Sequence, residues 1–88
     1  MIRRRVVVSG NVQGVFFRAS CQQEASRHGV AGWVSNRPEG AVEAVFEGDD
    51  SAVEALIAWC RQGPARAEVT DVDVSDEEPE GLHGFDVR

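Results

Sequence analysis

The stretch from Ser51 to Pro64 limits most tightly what this chain can fold into. Val53, Leu56, Ile57 and Cys60 recur at i, i+3, i+4 and i+7, the spacing of a single apolar stripe along a helix. Ser51-x-x-Glu54 fits a capping box at its start, and Gly63-Pro64 stops it. A helix with one apolar stripe needs a covering layer on that side only. The 88 residues supply one small core, so residues 1–88 are expected to form a single domain built as two layers rather than a sandwich of sheets or a barrel.

The rest of the chain supplies the second layer. Residues 3–9 are rich in Val and end in Ser9-Gly10, which predicts a strand. Residues 18–28 predict a helix with Cys21, Ala25 and His28 on one face and Gly29 as its stop. Residues 30–36 and 41–47 predict two strands joined through Pro38-Glu39-Gly40, a hairpin. Residues 67–74 predict a fourth strand with Val72 and Val74 on one face, and Phe85-x-Val87 a short last one after the loop from Gly81 to Gly84. The order is strand, helix, strand, strand, helix, strand, plus a short fifth strand. Both helices have one apolar face, so both should cover the same face of an antiparallel sheet of four to five strands. This is the α+β, ferredoxin-like βαββαβ sandwich. That topology brings the end of the first strand, the start of the first helix and the end of the second strand to one edge. Residues 10–17, Arg18 and Asn36 should therefore converge.

Composition removes several chemistries. The net charge of −6 argues against nucleic acid, whose backbone needs a basic face. Asp71, Asp73, Asp76, Glu77, Glu78 and Glu80 read as a solvated strand edge and loop. Every basic residue is Arg, which excludes Schiff-base chemistry, pyridoxal phosphate attachment and a Walker-type phosphate loop. His28 and His83 have no ligand spacing, and Cys21 and Cys60 match no zinc pattern. No metal and no cofactor are expected, and the two thiols are expected to be buried and free. No apolar run approaches the roughly 20 residues of a membrane span. Val6-Val7-Val8 is too short for a signal-peptide core. A cytoplasmic monomer with no membrane partner is the expectation.

Gly10-Asn11-Val12-Gln13-Gly14-Val15-Phe16-Phe17-Arg18 joins a strand to a helix N-terminus. N–H groups at such a junction are unpaired, and the helix dipole adds partial positive charge. Two glycines allow the backbone to curl into an anion-binding nest. Glycine spacing alone leaves a plain tight turn equally open. Arg18 favours the nest. A cation in the first helical turn sits at the wrong end of the dipole, at a cost of about 0.3–1 kcal/mol that a bound dianion reverses. A guanidinium also fits phosphate oxygens as a bidentate fork. The alternative is an exposed Arg paired with a nearby carboxylate.

Val8-Ser9-Gly10-x-Val12-Gln13-Gly14-Val15-x-Phe17-Arg18 closely resembles the signature of the acylphosphatase family, and Gly32-Trp33-Val34-x-Asn36 resembles its second signature. The similarity continues through Glu43-Ala44-Val45, Trp59-Cys60-Arg61-x-Gly63-Pro64 and Gly84-Phe85-x-Val87-Arg88. The resemblance implies a metal-free hydrolase that splits the carboxyl-phosphate bond of an acyl phosphate. It implies that Arg18 and the backbone amides of Asn11, Val12, Gln13, Gly14, Val15, Phe16 and Phe17 hold the phosphate, while Asn36 orients the attacking water. Inorganic phosphate and sulfate should then compete with substrate. Three positions depart from the family's usual pattern: Asn11 where many relatives have a basic residue, Phe16 where bacterial relatives often have Gly, and His28 in place of an inward aliphatic residue. Trp33 reads as a core aromatic or a lining of the substrate entrance, and Trp59 as helix surface or a packing contact. Two other readings fit the fold: a non-catalytic module that binds a small anion, and a carbamoyl-phosphate-handling domain of a larger protein. The pairing of Arg18 with Asn36 favours the enzyme, because a sensor has no use for a water-orienting amide.

Overall fold

The computed structural model describes residues 1–88. The elements follow in the order β1 (Ile2–Asn11), α1 (Phe17–His28), β2 (Ala31–Asn36), β3 (Val42–Gly48), α2 (Asp50–Gln62), β4 (Glu68–Glu77) and β5 (Phe85–Val87). They build one five-stranded sheet in the order β4-β1-β3-β2-β5. Strands β4, β1, β3 and β2 pair antiparallel, as expected. The short β5 instead runs parallel to β2, pairing Gly32 with Phe85 and Val34 with Val87, so the sheet is mixed. A parallel neighbour needs a long connection between the two strands; β3, α2 and β4 make up most of it, and residues 78–84 complete it by carrying the chain from one sheet edge to the other.

Alternation along the strands decides which residues face the helices. Val6 and Val8 of β1, Val34 of β2, and Val42, Ala44 and Phe46 of β3 form one fully buried set. Phe17, Cys21 and Ala25 of α1 and Val53, Leu56, Ile57 and Cys60 of α2 close over it. Full burial of an aliphatic or Phe side chain contributes about 1.5–3 kcal/mol, so this face is the main source of stability. Both cysteines are free and fully buried. Hydrogen bonding to Cys60, with burial added, pushes the Cys21 thiol well above the usual range.

Three local expectations are corrected. Helix α2 begins at Asp50 with Asp49 as its N-cap, and no side chain caps it. Ser51 therefore lies inside the first turn, too far along to cap, and its pattern with Glu54 is not a capping box. His28 is not on the inner face of α1. Its side chain is 38% exposed, 3.7 Å from Glu24, because the helix ends there and the next buried residue is Val30. Trp33 is not in the core either. It has the opposite parity to Gly32 and Val34 and lies on the helix-free face, with the guanidiniums of Arg88 and Arg5 at 4.7 and 5.5 Å from its ring centre.

The helix-free face carries an ion network that the acidic and basic runs did not reveal separately. Arg3 and Glu47 are 5% and 2% exposed and pair at 3.3 Å. Glu47 also accepts N–H bonds from Glu80, Gly81 and Leu82, which fastens the crossover segment to the sheet. Arg3 continues to Glu77 at 2.8 Å, and Arg5 bridges Glu77 and Glu43. Burial pushes the Glu47 carboxyl up, but the three N–H donors and Arg3 outweigh it and hold its pKa below the ordinary 4.5. Hydrogen bonds from Arg5 and Arg3 lower Glu77 in the same direction. A carboxyl depressed on folding stabilises fully above its unfolded pKa and loses that contribution as pH falls through its folded one. Stability should hold down to about pH 4.5 and fall below it, starting from the ordinary carboxyl value. Glu47→Ala leaves three N–H groups without their acceptor and removes one of Arg3's partners while Glu77 remains, and should cost about 1–3 kcal/mol in denaturant unfolding with a shallower acid limb. Wild-type stability in that variant would show the network to be incidental.

Candidate active site

The local sequence explains how the β1–α1 connection leaves its amides open. Strand β1 continues through a bulge at Ser9/Gly10 to pair Asn11 with Glu68. At Gly10, φ is +123° and a Cβ would stand 2.1 Å from the Glu68 carbonyl oxygen, so only glycine allows β4 this close. The loop proper is thus Val12–Phe16. Gly14 has φ +72° and Phe16 has φ 62°, ψ 26°, two left-handed residues that turn the chain into α1.

Phe16 is the N-cap of α1 and offers no side-chain hydrogen bond there. An oxygen-bearing side chain at that position would contribute about 0.5–2 kcal/mol. The first turn of α1 has no acidic residue. The first N–H in this region to donate to the backbone is that of Ser20, to Phe16 at 3.0 Å; no N–H of residues 13–19 does so. The sequence thus forgoes both usual means of satisfying these donors, and a run of N–H groups remains at the positive end of the helix dipole.

A cavity of about 310 Å³ opens at this place. Val12, Gly14, Phe16, Phe17 and Arg18 line it from the loop and the first helical turn, with Ala19 beside them. Asn36, at the end of β2, and Val87, in β5, close the other side. The convergence expected from topology is therefore present for Arg18 and Asn36. Of the remaining loop residues, Asn11 is in the β1–β4 ladder, and Asn11, Gln13 and Val15 do not line the cavity. The Gln13 side chain points elsewhere, and its Nε2 donates to the carbonyls of Arg37 at 2.8 Å and Ala41 at 2.9 Å. That ties the loop to the β2–β3 turn directly after Asn36.

Arg18 is fixed by a contact that spacing alone did not suggest. Its Nη1 donates to the main-chain oxygen of Arg88 at 2.8 Å. Arg88 is in turn anchored through its own N–H to the Val34 carbonyl and through its guanidinium over Trp33. The parallel pairing of β5 with β2 thus sets both Val87 at the cavity and the partner of Arg18. Arg18 has no Asp or Glu side chain as partner, and its one bond, to the main-chain oxygen of Arg88, leaves the other guanidinium donors free. The cavity therefore joins a local cation, unpaired amides and a carboxamide on a protein of net charge −6. Screening beyond about 8 Å makes that local sign the relevant one for an anion.

Comparison with known proteins agrees with the two sequence signatures. The acylphosphatase family model matches residues 4–87. An acylphosphatase of Haloarcula marismortui is 55% identical over 98% of this chain and 94% of its own length. One of Gloeobacter violaceus is 57% identical over 98% of this chain and 92% of its own. The crystal structure of acylphosphatase from Bacillus subtilis superimposes with a TM-score of 0.97 at 38% identity, covering 100% of this chain and 99% of that one. The family model, the relatives and the fold thus point the same way over almost the full length, and the chain belongs to the acylphosphatase family.

Proposed function

We propose that the cavity at the N-terminus of α1 holds the phosphate of an acyl phosphate, and that Asn36 positions the water that attacks it. The family supports the reaction class, hydrolysis of an acyl phosphate. The observation that carries the finer reading is that Arg18, Asn36 and a run of residues whose N–H groups have no backbone partner, Gly14 and Phe16 to Ala19, line one opening. In this reading the Arg18 guanidinium and the loop amides surround the phosphate oxygens. Water held by the Asn36 carboxamide attacks phosphorus in line. The bond from phosphorus to the carboxyl oxygen breaks, and the carboxylate leaves with the electron pair. A carboxylate leaving group needs no general acid. A carboxamide is too weak a base to take the proton, so one water proton passes to a phosphate oxygen and the products are a carboxylate and dihydrogen phosphate. Catalysis then rests on positioning and on charge stabilisation in the transition state.

The direct test is phosphate release from benzoyl phosphate, in EDTA and with inorganic phosphate or sulfate added. Turnover should survive the chelator, since Arg18 and amides supply the positive charge. Both anions should compete with substrate, because a helix N-terminus built for phosphate also takes them. Inhibition by phosphate that leaves KM unchanged would place the anion site elsewhere.

A further inference from the structure

Phe16 is an expensive residue for its position. It is the only residue other than glycine with a positive φ, a backbone state that a Phe side chain disfavours and glycine adopts freely. The residue is also left 74% exposed, so the strain is not offset by burial in the core. Such strain persists where the surroundings hold it in place and collects at ligand sites. Phe16 lines the cavity together with the apolar Val12, Ala19 and Val87, and Arg18 and Asn36 supply polar groups to the same opening. The site therefore has two halves: donors that suit phosphate and an apolar wall with an aromatic ring at its rim.

We infer that Phe16 forms the acyl subsite and selects acyl phosphates whose acyl group is aromatic or bulky and apolar over small ones. The inference rests on the reading of this cavity as an acyl phosphate site. The phosphate half treats all acyl phosphates alike, since each presents the same dianion. Discrimination must come from the part of the substrate beyond the carboxyl group, and the exposed ring is the large flat surface available to it. An aromatic acyl group can stack on or pack edge-on against Phe16, whereas an acetyl group is too small to cover it.

The test compares kcat/KM for benzoyl phosphate and acetyl phosphate in the wild type, Phe16→Gly and Phe16→Leu. Phe16→Gly keeps the left-handed backbone, so its melting temperature should not fall. An aromatic pair contributes enough that the benzoyl-over-acetyl ratio should drop about five- to tenfold in Phe16→Gly, carried by a higher KM for benzoyl phosphate. Phe16→Leu keeps an apolar side chain without a ring and should fall in between. An unchanged ratio with both substrates still hydrolysed overturns the acyl-subsite assignment and leaves the phosphate site standing. A wild-type protein that hydrolyses neither substrate overturns both.

Discussion

Arg18→Ala is expected to lower kcat/KM for an acyl phosphate by on the order of 10³-fold, and to weaken competitive inhibition by inorganic phosphate as well. Both effects follow from one contact. A guanidinium on the phosphate meets the dianion in the ground state and holds it more strongly as charge redistributes in the transition state, so binding and turnover suffer together. The geometry makes Arg18 hard to replace. One nitrogen is already held by the main-chain oxygen of Arg88, and that anchor presents the rest of the planar fork to the cavity. Arg18→Lys should not restore activity, because an ammonium has no fork and cannot hold the anchor and two phosphate oxygens together. Loss of the Arg88 bond itself costs only about 0.5–1.5 kcal/mol, so the variant should stay folded, and thermal melting checks this. Wild-type phosphate inhibition in a folded Arg18→Ala protein would end the assignment of this residue.

Asn36→Ala should separate what Arg18→Ala leaves joined. Asn36 stands at the end of β2 and lines the cavity with Phe17, Arg18 and Ala19 of α1; in the proposed reaction its carboxamide holds the water and leaves the phosphate to Arg18 and the loop amides. Turnover should fall on the order of 10²-fold or more, the usual cost of losing a positioning group. The inhibition constant for phosphate should stay near wild type. Asn36→Asp should be inactive too, since a carboxylate there repels the bound dianion and the reaction uses no titratable base. A steady-state comparison of kcat with phosphate inhibition for the two variants decides the matter. Full turnover in Asn36→Ala, or activity in Asn36→Asp that rises as the carboxylate ionises, is incompatible with water held by an amide.

The sequence by itself determined the element order, the shared face of Val72 and Val74 in β4 and the inward stripe of α2. Periodicity is a local property, and Val53, Leu56, Ile57 and Cys60 state theirs within a few turns. It also determined that Arg18 and Asn36 meet, because split βαβ topology leaves one place where the β1–α1 junction and the end of β2 come together. Features that depend on partners distant along the chain were decided only by the tertiary structure. Nothing near Arg3 indicates that it will be buried, since Glu47 and Glu77 lie 44 and 74 residues away. Nothing near Trp33 indicates that it leaves the core for Arg5 and Arg88. A strand of alternating residues has two faces, and which aromatic goes outward depends on what the neighbouring strands set opposite it. The parallel placement of β5 is of the same kind. Three residues, Phe85–Val87, carry too short a pattern to specify direction. Glu47 holds the segment leading into β5 through three N–H bonds, and β5 beside β2 places Arg88, the anchor of Arg18.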